Sequence, residues 1–89
     1  MPTISMFYGI IIRMYYFDTQ RHTRPHVHAE YGDFAAVFAI DDCTLLAGDF
    51  PPRQRRFVEA WIEVQRESLA ADWILAVQGA TLFAIEPLR

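Results

Sequence analysis

The 89 residues allow one domain, 1–89, and no second core. Apolar residues make up 53% and charged residues 21%, which excludes a disordered chain. A formal net charge of −3 leaves no overall electrostatic footprint for nucleic acid, although all eight basic residues are arginine, whose planar fork grips phosphate or carboxylate at two points. A single cysteine, Cys43, excludes an internal disulfide and a cysteine-based zinc site, and points to a reducing cytoplasm. No basic region precedes a long apolar run at the start, so neither a secretory leader nor a membrane span is expected.

The first half has the texture of a sheet. Thr3 to Tyr8 reads as a short strand, with Gly9 as a bend or bulge. Ile10 to Phe17 is dense in β-branched and aromatic residues and predicts a second strand, followed by a polar loop from Asp18 to Pro25. His26 to Tyr31 alternates, with His26, His28 and Glu30 on one side and Val27, Ala29 and Tyr31 on the other. Gly32-Asp33 suits a two-residue hairpin turn, and Phe34 to Ile40 is the returning strand. Asp41-Asp42 makes the next turn, and Thr44 to Ala47 adds a short strand.

Gly48-Asp49-Phe50-Pro51-Pro52 announces a helix, with Asp49 or Phe50 as its cap and proline in the first turn. No Gly or Pro interrupts Arg53 to Gln78, and Phe57, Val58, Trp61, Ile62, Leu69, Trp73, Ala76 and Val77 recur at helical spacing. The four polar residues Gln65 to Ser68 predict a kink near Ser68. Gly79 suits the stop, and Thr81 to Ile85 reads as a last strand ended by Pro87. The fold expected is α+β: a small antiparallel sheet of three to five strands packed on one long C-terminal helix, with Trp61 and Trp73 as anchors. Phe34 to Ile40 is apolar on both sides. One helix covers one face, so the second face calls for self-association or another chain.

All three histidines fall within seven residues, at His22, His26 and His28. On a strand, His26, His28 and Glu30 form a row with a step of roughly 7 Å per two residues. Four readings of this row stay open. One is a metal site of His26, His28 and Glu30, with His22 as a further ligand. Another is acid–base chemistry on a phosphodiester, with His26, His28 and His22 moving protons, Glu30 orienting them, and Arg21, Arg24 and Arg13 holding the anion. A third is a purely structural role through hydrogen bonds to the loop. The last is a recognition surface for another protein. No cofactor is called for, and nucleic acid enters only indirectly or as the substrate of such chemistry. The Arg53, Arg55 and Arg56 cluster sits where its charge opposes the helix dipole, which suits an anion or simply a solvated face.

The segment Arg21-His22-Thr23-Arg24-Pro25-His26-Val27-His28-Ala29-Glu30-Tyr31 resembles the motif of a small bacterial family called domain of unknown function 4160, whose members carry His-x-Pro-Pro-His-Phe-His-Ala. Pro2-Thr3-Ile4-Ser5, the run Ile12 to Phe17, Gly48 with Pro51-Pro52, Trp61, Leu69 to Trp73, and Ile85-Glu86-Pro87-Leu88 are also similar to the family pattern. Arg24 stands where the family has its first proline, and Val27 where it has phenylalanine. The resemblance implies a gene neighbour encoding a small partner, often a helix-turn-helix protein, and hence the toxin half of a toxin–antitoxin pair neutralised by direct antitoxin binding. The alternatives are a non-enzymatic module associating with a DNA-binding partner, and a small His-dependent ribonuclease or metal-dependent hydrolase.

Overall fold

Period-two alternation in the first half builds a five-stranded antiparallel sheet in simple sequence order, and the second half folds into two consecutive helices on one of its faces. The computed structural model describes residues 3–15 and 24–89. The strands are β1 (Thr3–Phe7), β2 (Ile10–Arg13), β3 (His26–Tyr31), β4 (Phe34–Ala39) and β5 (Leu45–Asp49). The helices are α1 (Pro52–Val64) and α2 (Arg66–Val77). The architecture is the α+β one expected, at the upper end of the strand count.

Turn chemistry sets the registers. Phe7 pairs with Ile10 across Tyr8-Gly9, both at positive φ (50° and 78°), the geometry of a type I′ hairpin. Gly9 is therefore half of a tight turn rather than a bulge. Tyr31 pairs with Phe34 across Gly32-Asp33, the two-residue hairpin the sequence predicts. These registers put Phe7, Ile10, Ile12, Val27, Ala29, Ala36 and Phe38 on one face, where Val58, Trp61, Ile62, Leu69, Trp73 and Ala76 from the helices pack against them.

Several boundaries differ from the sequence reading. The second strand ends at Arg13: Met14 and Tyr15 leave the ladder, and Tyr16 and Phe17 lie outside the described residues. The helix cap is Pro51 without any side-chain bond, because the Asp49 carboxylate is turned onto the Phe50 N–H (2.9 Å). The long helix breaks at Gln65 (φ −103°, ψ 18°), three residues before Ser68. There Arg66 turns inward, its Nε–H donating to the Ile40 carbonyl at 2.9 Å, so the polar run is not a uniformly solvated stretch. Gly79 ends α2 as expected, at φ 72°, with Ala80 N–H reaching back to Leu75 O (2.8 Å) in a Schellman-type stop.

The expected last strand does not form. Thr81 to Ile85 makes one bond to the sheet, Ile85 N–H to Ile4 O at 2.7 Å, where the pairing of β1 slips by a residue. Two side chains hold backbone groups in and just after this stretch. Phe83 N–H donates to Asp72 Oδ1 (3.1 Å), and Trp61 Nε1–H donates to the Glu86 carbonyl (2.7 Å). Asp72 is 2% exposed, and burial pushes its carboxyl above the usual carboxylate range while the Phe83 N–H works against that rise. Among the described residues no helix is long and apolar enough to cross a membrane.

Candidate functional site

The histidine row lies on the face of the sheet opposite Val27, Ala29 and Phe38, with His26 at its end reaching Trp73 of α2. His28 stands opposite Arg13 on one side and Val37 on the other. Glu30 stands opposite Ile11 and Ala35, and His26 opposite Ala39. The surface is therefore a polar stripe along β3 flanked by small and apolar residues. Met6, on β1, is 63% exposed, and Ala35 is also exposed.

The two described histidines have different surroundings. His26 is 1% exposed, and its Nδ1–H donates to the Arg24 carbonyl at 2.8 Å. A carbonyl only accepts, so the proton sits on Nδ1 and a neutral ring keeps its lone pair on Nε2. Trp73 from α2 packs against the ring (centroids 4.9 Å apart), and the His28 ring lies 5.3 Å away on the other strand position. His28 is only partly buried and meets Tyr15 edge to face at 4.4 Å. Of the pair, His28 is the one within reach of solvent.

The two described candidate anion holders, Arg13 and Arg24, are occupied. Arg13 Nε lies 3.2 Å from Glu30 Oε2, a diagonal cross-strand ion pair in which the N–H is not aimed at the oxygen. At this exposure the pair stabilises the sheet by no more than ~1 kcal/mol. Arg24 Nη2 meets Asp41 Oδ1 at 2.7 Å and Asp42 Oδ1 at 3.0 Å, clasping the β4–β5 turn to the start of β3. Asp41, then Asp42, raises the Arg24 guanidinium above its ordinary value. Arg21 and His22 lie outside the described residues. In the other arginine cluster, Arg55 pairs with Glu59 (3.3 Å) and Arg53 lies over the Phe57 ring at 5.6 Å.

Asp42 also accepts from Thr44, whose hydroxyl and N–H are the main cause holding its carboxyl at about 2 rather than 3.8, with Arg24 adding to them. A depressed native value contributes stability above the unfolded value and loses it as pH falls through the folded one. Between about pH 4 and about pH 2 the wild type is expected to lose thermal midpoint faster than Asp42→Asn, in parallel unfolding scans.

Among the described residues no three His, Cys, Asp or Glu side chains stand where they could share a metal ion, so His26, His28 and Glu30 are not brought together as a ligand set. What the row does border is a concavity of about 260 Å³ with Tyr15, His28 and Glu30 on its wall and Ala35, Val37 and Ala47 on its floor. Gly48 completes that floor. Sequence reasoning placed the histidines on one face but missed Tyr15 as the partner of His28 and Trp73 as the partner of His26. The available signal was the run of small residues at Ala35, Ala47 and Gly48, which leaves room above the sheet.

No curated protein and no solved structure matches the chain. Residues 9–74, which include all of β2 to β5 and α1, match the family described as Domain of unknown function (DUF4160). That match spans the histidine row, the concavity and most of the helical layer, and the chain belongs to this family.

Proposed function

We propose that this chain is the toxin half of a cytoplasmic bacterial two-component pair, silenced by an antitoxin that docks on the open face of the sheet. The observation that carries this reading is the one-sided layering: the helical core packs on one face, and the other presents Ala35, Val37 and Ala47 in the concavity, with Met6 and Ile11 on the strands beyond Glu30. An apolar sheet surface with a polar stripe suits a protein partner, whose side chains fill the hollow while rim groups set its orientation. The toxin assignment itself rests on the gene neighbour that the family resemblance implies.

A second reading has its own support. His26 is enclosed, and Arg13 and Arg24 are committed to carboxylates, which weakens acid–base chemistry on a phosphodiester and favours a non-enzymatic module that works by binding alone. Among the described residues, His28 beside Tyr15 is what remains for a hydrolase. The three readings separate in one bacterial growth assay. The wild type is expected to arrest growth, and the neighbouring gene product to restore it. Val37→Arg, which fills the hollow with a charged chain, is expected to keep the arrest and lose the rescue. Arrest that disappears in a folded His28→Ala variant would place chemistry at that imidazole, and a wild type that never arrests growth would remove the toxin assignment.

A further inference from the structure

A groove of about 270 Å³ runs between α2 and the C-terminal segment, and it shares no residue with the sheet-face concavity. Its wall includes Asp72, Gln65, Ser68, Ala71, Phe83 and Glu86. One Asp72 oxygen, Oδ1, accepts the Phe83 N–H; the other, Oδ2, is buried and has no hydrogen-bond partner among the described residues. Native interiors rarely leave a carboxylate oxygen in that condition, and a missing donor is the economical explanation. A charged donor also compensates the carboxylate charge that burial disfavours. At the rim, Glu86 already holds a guanidinium, with Arg89 Nη2 at 3.0 Å from Oε2. The same lining includes the exposed Ala71 and the 70% exposed Phe83, apolar surface of the kind along which a methylene stem lies while its charged head is held elsewhere. Too few oxygens converge for a metal ion, as no three acidic, His or Cys groups gather among the described residues.

We propose that this groove binds an organic cation with an apolar stem, a primary ammonium or guanidinium whose head donates to Asp72 Oδ2 and whose stem lies on Ala71 and Phe83. The same chemistry is offered by a free alkylamine and by a Lys or Arg side chain of a polypeptide. The site stands independently of any partner on the sheet face.

The test is a nuclear magnetic resonance titration of the intact chain with n-butylguanidinium, reading the Phe83 amide, and with n-butanol as the uncharged stem. The cation is expected to move the Phe83 amide saturably and the alcohol to leave it in place. Asp72→Asn keeps the acceptor for Phe83 and removes the charge, and is expected to weaken binding roughly tenfold or more. Ser68→Trp, at an exposed position on the mouth, is expected to weaken it with Asp72 intact. Agmatine and N-acetyl-arginine-methylamide then separate the sources: tighter binding of the first assigns the groove to a free amine, and of the second to a polypeptide. An unmoved Phe83 amide in the wild type, or equal affinity in the wild type and both variants, overturns the proposal.

Discussion

Trp61→Ala is expected to lower the stability of the protein by ~3–5 kcal/mol. Trp61 is fully buried, its ring sits 5.3 Å from that of Phe7, and its indole N–H holds the Glu86 carbonyl. The substitution empties a volume that the sheet on one side and the helix on the other cannot both collapse into, and it cuts one of the ties on the C-terminal segment. A domain of this length has on the order of 5–10 kcal/mol in total, so the variant should unfold at a much lower urea concentration, with a large part of the population unfolded near 37 °C. Trp61→Phe separates the two losses: it retains most of the ring packing and gives up the hydrogen bond, for about 1 kcal/mol. Urea denaturation of the three proteins checks this, and near-coincident midpoints would show that the core does not rest on this residue.

Gly48→Ala is expected to cost ~2–5 kcal/mol, a large effect for one methyl group. Gly48 has φ +82° in the edge strand β5, where an L side chain costs ~1–2 kcal/mol by conformation alone. The added Cβ would also be driven into the backbone of β4, against the Ala35 carbonyl oxygen and the Ala36 Cα. Backbone does not rotate away as a side chain does, so β5 must shift off its neighbour, which adds ~1–3 kcal/mol. Gly32→Ala is the internal control, since Gly32 has positive φ (+56°) but nothing within contact of an added Cβ. It should pay the conformational term only, and comparison of the two thermal midpoints isolates the clash. Because Gly48 also belongs to the floor of the concavity, Gly48→Ala should weaken partner binding as well.

How much of this was legible depends on the range of the interactions involved. β3 and β4 were readable to within a residue because alternation and a two-residue turn are local signals, and the common face of His26, His28 and Glu30 follows from the same period. The helical half was readable because nothing in it breaks a helix. Its interruption was legible in the polar run Gln65 to Ser68 but falls three residues earlier, at Gln65, and the reach of Arg66 to a carbonyl 26 residues back leaves no local signal. Arg24 looked like an anion holder for the same reason: the two aspartates that occupy it lie 17 and 18 positions along the chain, on a turn whose placement depends on the sheet. The enclosure of His26 waits on Trp73 from the last helix. Thr81 to Ile85 has the composition of a strand, but composition does not reveal that Asp72 takes the Phe83 N–H and that Trp61 holds the adjoining Glu86 carbonyl.

The way that final segment is fastened gives the molecule a seam. Phe83, Ile85 and Glu86 each make one main-chain hydrogen bond, to a helix carboxylate, to the edge of β1 and to an indole, and Leu82, Ile85 and Leu88 pack on the core, with no ladder that must break as a unit. Separate fastenings release one at a time, whereas the sheet opens cooperatively. Residues 80–89 are therefore expected to open before the sheet and both helices come apart, uncovering the buried Ile85 contact. Opening of the chain is in this sense directional, beginning at its end and running toward the core.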